Sequence, residues 1–321
     1  MEGWNQDRIK AARVLIGGVG ALGTVAGLNL TLMGVGEIHL VDMDTIEVSN
    51  LNRQLLFHEK DVGKSKAEIA AQALRAVNPE INIVPHVERL ENIPLKIYKK
   101  CHVLLDGLDD FEPRRWLNSI AISKRIPLVS GGIYGFMGNL QIVMTDDTPC
   151  LECQPLLGQE VLSKPCTPPG QERERSDEPD GKIPSVISVS TGIGGLMVQE
   201  TIKLILGMKD QVLRKYLFWD GLTETFTSIP LEKRSDCEVC SSRFRLEGIP
   251  IIGEPSETYH EFLERVKVTF LLKNPTLMLR MKTVTNDQNR ELKDIFQEGD
   301  KIFLIDKAIP EPKKLHFSFS S

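Results

Sequence analysis

Two residue patterns in the chain carry recognisable chemistry. Gly18, Gly20 and Gly23 form a GxGxxG run between an apolar segment and a helical one. Glycines there let a backbone approach phosphate, and the helix N-terminus supplies aligned N–H donors. Asp42 follows at the end of the next apolar run, where a carboxylate accepts hydrogen bonds from ribose hydroxyls. The bland alternative is a tight turn with a solvated aspartate. The second pattern is two CxxC pairs, Cys150/Cys153 and Cys237/Cys240. Four thiolates from distant parts of a chain close into a tetrahedral zinc site with no position left for water, so the site is structural. A redox-active CxxC competes with this reading, but the two matched pairs argue against it.

The segment after Asp42 moves the nucleotide from NAD toward ATP. DMDTIEVSNLNRQLLF sets Asp44, Asn50, Asn52, Arg53 and Gln54 beside the ribose position. Hydride transfer needs no such cluster. Nucleotidyl transfer does, because charge builds on the triphosphate and on leaving pyrophosphate, and fixed donors such as Arg53 and Lys66 stabilise it. Of the other two cysteines, Cys101 opens an apolar strand and reads as core packing. Cys166 lies in SKPCTPPG, where a loop thiolate can attack an activated carbonyl or be an exposed spectator.

These side chains need a scaffold. Arg13 to Gly18 and Ile38 to Val41 read as buried parallel strands, with a helix from Thr24 to Met33 between them that Gly34 stops. Lys64 to Val77 reads as a helix, Val103 to Leu105 and Pro127 to Val129 as strands, and Pro113 to Lys124 as a helix opening on proline. Such alternation predicts an α/β, Rossmann-like doubly wound sheet. From about 155 to 184 the chain is rich in proline, glycine and charge, as a surface loop is. Ser185 to Leu206 regains helical character and ends at Gly207. IPIIGEPS reads as a linker. Beyond it come an amphipathic stretch at Thr258 to Val268 and strands at Thr276 to Met281, Lys301 to Ile305 and Leu315 to Phe319, with a turn at Glu298 to Asp300. The expected domains are 1–248 and a small α+β domain, 249–321.

At 321 residues and 41% hydrophobic content the chain can bury one large core and a small second one. The net charge of -5 leaves no basic field for sequence-independent nucleic-acid binding. No signal peptide or membrane-length apolar run is visible, so a soluble, cytoplasmic protein is expected.

The stretch from Val14 to Pro79, with its glycine run, DMDTIEVSNLNRQ and VGKSKAE, resembles the ubiquitin-activating enzymes and their bacterial relatives in molybdopterin and thiamine biosynthesis. LLDGLDDFEPRRWLN adds to the match. The resemblance implies an ATP-dependent enzyme that adenylates the C-terminal carboxylate of a ubiquitin-like protein ending in Gly-Gly. By it, Asp42 binds ribose, Arg53 and Lys66 bind phosphates, and Asp109 holds magnesium, although Asp110 stands where relatives usually carry Asn and either acid can take the metal. TPCLEC and DCEVCS resemble the family's zinc knuckle. SKPCTPPG resembles the crossover loop, whose Cys-Thr pair carries a thioester; here that nucleophile is Cys166, without the large cysteine domain of eukaryotic relatives. The end of the chain looks like the ubiquitin-fold domain that recruits a conjugating enzyme. Relatives also receive an arginine across a dimer from a helix upstream of the glycine strand. Arg8 is a poor substitute, which leaves a homodimer or a heterodimer whose partner supplies the arginine. Two rival functions stay open: a sulfur-carrier adenylyltransferase leading to a thiocarboxylate, and a nucleotide-sensing scaffold.

Overall fold

The computed structural model describes residues 3–145, 147–153, 186–235, 237, 239–240, 250–269, 272, 274–279, 282–284, 289–306 and 313–320. The expected crossover loop, with Cys166, lies outside them. The chain divides into two compact units, residues 1–233 and 234–321.

The first unit runs α1 (Gln6–Ala11), β1 (Arg13–Gly17), α2 (Ala21–Met33), β2 (Glu37–Val41), α3 (Lys66–Val77), β3 (Asn82–His86), α4 (Leu95–Tyr98), β4 (Val103–Asp106), α5 (Phe111–Lys124), β5 (Leu128–Tyr134), β6 (Met137–Val143), α6 (Ile187–Leu206), β7 (Tyr216–Asp220) and β8 (Thr225–Ile229). The strands form one sheet in the order β3-β2-β1-β4-β5-β6-β7-β8. Neighbours from β3 through β5 pair in parallel, and β6, β7 and β8 continue antiparallel. Alternate residues of each central strand face opposite layers. Val14 and Ile16 pack with Leu30 of α2, Leu74 of α3 and Met197 of α6. Gly17, on the other face, lies against Leu90 and Leu117, the latter on α5. Helices thus cover both faces, the Rossmann-like arrangement. Each fully buried aliphatic side chain stabilises this packing by roughly 1.5–3 kcal/mol.

Differences from the sequence reading have physical causes. α2 begins at Ala21, not Thr24, and the Thr24 hydroxyl donates to the Gly20 carbonyl. α5 begins at Phe111, so Pro113 sits inside the first turn, where its missing N–H has no helical partner to lose. β3 escapes sequence reading because Pro85 interrupts it, and it occupies a sheet edge, where proline is tolerated. β8 is exposed along its whole length and carries no alternation.

The second unit contains β9 (Pro250–Gly253), α7 (Tyr259–Thr269), β10 (Thr276–Leu279), β11 (Lys282–Thr283), β12 (Lys301–Ile305) and β13 (Lys313–Phe319), with the sheet order β11-β10-β12-β13-β9. The linker reading of IPIIGEPS is corrected here. β9 pairs in parallel with β13, and Ile251 is buried against the small core. Phe262, Phe296 and Phe317 form that core's centre, with ring centroids 4.8 to 6.0 Å apart. The result is a small α+β unit. Among the described residues no helix is long and apolar enough to cross a membrane.

Candidate nucleotide site and metal centre

The sheet order reverses between β1 and β4, and open α/β sheets bind ligands at the carboxyl ends of the strands flanking such a switch. A cavity of about 500 Å³ opens there in the first unit. Gly18 turns the chain out of β1 with φ +83°, a backbone conformation that strains any side chain, and a Cβ there would come within 2.9 Å of the Gly107 carbonyl oxygen. Gly18 and Gly20 line the cavity. Gly23 does not: a Cβ on it would stand 2.0 Å from the Gly18 carbonyl oxygen, so this glycine lets the first turn of α2 pack on the loop.

Asp42 follows β2 and is held at both oxygens. Oδ2 accepts from the Val19 N–H at 2.7 Å and Oδ1 from the Asp44 N–H at 2.8 Å. Burial pushes its carboxyl above the ordinary carboxylate range against the pull of those donors and of Lys66. Asp44, Arg53, Gln54, Lys66 and Asp109 also line the cavity. Lys66, at the start of α3, pairs with Asp44 at 2.9 Å. Arg53 donates from Nη1 to the Ser49 carbonyl and Asn52 Oδ1. Asn50 lies outside the cavity lining and closes a turn by accepting from the Glu47 N–H at 3.0 Å.

The site fits a nucleotide and a divalent cation. Gln54 is buried and its Oε1 lacks a hydrogen-bond partner, so it stands as an acceptor for a ligand hydroxyl or, with the amide turned over, as a donor to phosphate. Asp110 is pushed up by burial and by the charges of Asp109 and Asp44. Three carboxylates crowded at a cavity are a donor set that a hard cation relieves.

Sequence reasoning assigned no role to the groups beneath the loop that carries Asp109. Asp106, fully buried at the end of β4, takes the Ser130 hydroxyl at 2.6 Å and pairs with Arg114 Nε at 3.2 Å. The adjacent arginines in LLDGLDDFEPRRWLN were the available signal.

The four paired cysteines are all buried, and their Sγ atoms lie within 4.8 Å of one another. Cys150 and Cys153 are separated by 3.9 Å, close to the about 3.8 Å edge of a zinc tetrathiolate tetrahedron with 2.3 Å bonds. The cluster is compatible with zinc. Cys101 is buried, donates to the Ile97 carbonyl, and has its thiol pushed up by burial to about 12. Arg8 Nη1 donates to the Leu206 carbonyl at 2.8 Å, so this guanidinium caps α6.

The ThiF family model matches residues 2–239. The SAMP-activating enzyme E1 of Haloferax volcanii is 33% identical, covering 73% of this chain and 82% of that protein. The sulfur carrier protein adenylyltransferase of Thermus thermophilus is 32% identical, covering 73% and 84%. The Nedd8-activating enzyme E1 catalytic subunit of Drosophila melanogaster is 39% identical over 44% of this chain, which spans only 34% of that protein. Among solved structures, E. coli MccB with ATP superimposes at a TM-score of 0.58 with 25% identity, covering 74% of this chain and 68% of that one. The chain belongs to the ThiF family, within the superfamily of ATP-using enzymes that activate ubiquitin-like modifiers.

Proposed function

We propose that the chain adenylates the C-terminal carboxylate of a ubiquitin-like protein ending in Gly-Gly and then carries that protein as a thioester on Cys166. The observation that supports this best is the convergence of Gly18, Gly20, Asp42, Arg53, Lys66 and Asp109 on one cavity. In the first step a carboxylate oxygen of the modifier bonds to the α-phosphorus of ATP and the bond to the β-phosphate oxygen breaks, releasing pyrophosphate. Gly18, Gly20 and the N-terminus of α2 cradle phosphate, Asp42 accepts from the ribose, and Arg53 and Lys66 offset the charge that develops. Asp109, with Asp110 and Asp44 beside it, would hold magnesium, whose charge neutralises that of the phosphates. In the second step the Cys166 thiolate attacks the mixed-anhydride carbonyl, the C–S bond forms, and AMP leaves.

The domain assignment belongs to this proposal: an adenylation domain, 1–248, with structural zinc on the four cysteines, and a ubiquitin-fold domain, 249–321, that recruits a conjugating enzyme. The enzyme works in the cytoplasm, as a homodimer or as a heterodimer whose partner lends an arginine. The capping role of Arg8 favours an outside donor. A second reading is favoured by the Thermus relative, of which the alignment covers 84%: a sulfur-carrier adenylyltransferase, whose adenylate leads to a thiocarboxylate.

ATP–pyrophosphate exchange with and without candidate Gly-Gly proteins, followed by non-reducing gels, tests the proposal. Exchange that depends on the modifier, with a reducible adduct lost in Cys166→Ala, is expected. Exchange with no adduct points to the sulfur-carrier reading, and absence of exchange with every candidate rejects both.

A further inference from the structure

We propose that Arg114 is the positioning residue for the carboxylate of Asp109, acting through the peptide of Leu108. Asp109 follows Leu108, so the Leu108 carbonyl and the Cα of Asp109 belong to one planar peptide unit. That carbonyl accepts from Arg114 Nη2 at 2.5 Å. The N–H of Leu108 donates to Asp106 Oδ1 at 3.1 Å. Both polar groups of Leu108 are therefore held by the two members of one ion pair, since Arg114 Nε lies 3.2 Å from Asp106 Oδ2. The pair is itself anchored: Asp106 is 0% exposed and takes the Ser130 hydroxyl at 2.6 Å, and Arg114 Nη2 also reaches the Gly131 carbonyl at 3.3 Å. One guanidinium thereby ties the end of β4, the loop before Asp109 and the strand β5.

The arrangement suits a loop that must resist its own charge. Asp110, next in sequence to Asp109, feels the negative charges of both Asp109 and Asp44. Like charges so placed repel, and a fixed backbone resists that repulsion. A carboxylate that meets a hard cation must also be held to about 0.5 Å. Arg114 meets the loop through a planar fork whose donors serve three acceptors; a lysine ammonium at that position cannot reproduce the fork.

The inference rests on the nucleotide reading of the cavity, and the test keeps the two apart. ATP affinity is measured by equilibrium titration of the full chain, with magnesium and with EDTA, for the wild type, Asp109→Asn, Arg114→Lys and the double variant. Wild-type protein that binds no ATP defeats the reading of the cavity itself. Where ATP binds, Arg114→Lys is expected to lower the magnesium-dependent gain in affinity about tenfold, the range seen when a residue orienting a metal ligand is lost, with little change in EDTA. The double variant should lose no more than Asp109→Asn alone, because both changes remove one contribution. An unchanged gain in Arg114→Lys, equal losses with and without magnesium, or additive losses in the double variant would overturn the assignment. Should Arg114→Lys not fold, Ser130→Ala loosens Asp106 and gives the same readout: a reduced gain supports the assignment and an unchanged gain rejects it.

Discussion

The Lys66 ammonium lies 2.9 Å from Oδ2 of Asp44, with the lysine side chain 11% exposed and the aspartate 56% exposed. The cation is held at the wall of the cavity by a partner that water can solvate. Incoming phosphate can therefore take the lysine without stranding a buried carboxylate. Lys66→Met should lower modifier-dependent pyrophosphate exchange on the order of a hundredfold, as loss of a preorganised electrostatic donor does. Its unfolding midpoint should stay near that of the wild type. Exchange within a factor of three of wild type would remove Lys66 from the phosphate site.

Gly23 tests whether the third glycine of the run packs or binds. A Cβ at Gly23 meets the Gly18 carbonyl at 2.0 Å, and that atom is backbone, which yields only if the loop moves. Gly23→Ala should cost roughly 3 kcal/mol in denaturant unfolding, at the upper end for overpacking. Nucleotide affinity should fall with it, because the displaced loop includes Gly18. A variant as stable as the wild type would show that the turn has slack.

Legibility of the sequence followed burial. β1 is apolar from Val14 to Ile16, and β2 is buried from Ile38 to Val41 with His39 alone breaking the apolar run, because helices cover both faces of the sheet; the strand, glycine turn and helix between them could be read directly. The residues proposed for the site on that unit, Gly18, Gly20, Asp42 and Lys66, line one cavity and stand where regular elements end or begin, which is why the sequence could single them out. Gly23 was assigned to the nucleotide because its spacing fits the motif, and spacing alone does not separate a glycine that meets phosphate from one that meets a carbonyl. Arg114 and Asp106 were silent because their pairing folds α5 back across the short connection from β4, a geometry that residue spacing alone does not mark. β9 was hidden by the proline and glycine around two isoleucines, and only its parallel partner, 66 residues away between Ile251 and Phe317, makes it a strand.

A histidine pair at the edge of the sheet gives the fold an acid-sensitive term. His86 Nε2 lies 2.9 Å from His39 Nδ1, and His39 Nε2 lies 3.1 Å from Glu37 Oε1. Burial, and then the charge on His39, hold the His86 imidazole below its ordinary 6.5. The unfolded chain takes up that proton first, so stability rises with pH in this window. The contribution is complete above 6.5 and is lost as pH falls through that value toward the lower folded one. Between about pH 7 and about pH 5.5 the wild-type unfolding midpoint should decline more steeply than that of His86→Gln, which lacks the titrating group. Equal slopes for the two proteins would show that His86 is not the group responsible.

The four cysteines make the most direct prediction about composition. Their sulfurs are buried within 4.8 Å of one another, a spacing at which unligated thiolates would repel and neutral thiols would leave poor hydrogen bonds in place of metal bonds. Protein purified without added metal should contain one zinc per chain by elemental analysis. Because ligands and fold stabilise each other, stripping the metal with a strong chelator should lower the unfolding midpoint. A loss of only ~3 kcal/mol corresponds to roughly 10 °C for a unit of this size. Cys153→Ser should reproduce that drop and make it insensitive to chelator, since a hydroxyl is a poor zinc ligand at neutral pH. The measurement also separates structure from chemistry: a closed four-sulfur site leaves no coordination position for substrate, so pyrophosphate exchange below the lowered midpoint should persist in the stripped protein. Exchange that vanishes well below that midpoint would mean the metal does more than hold the chain.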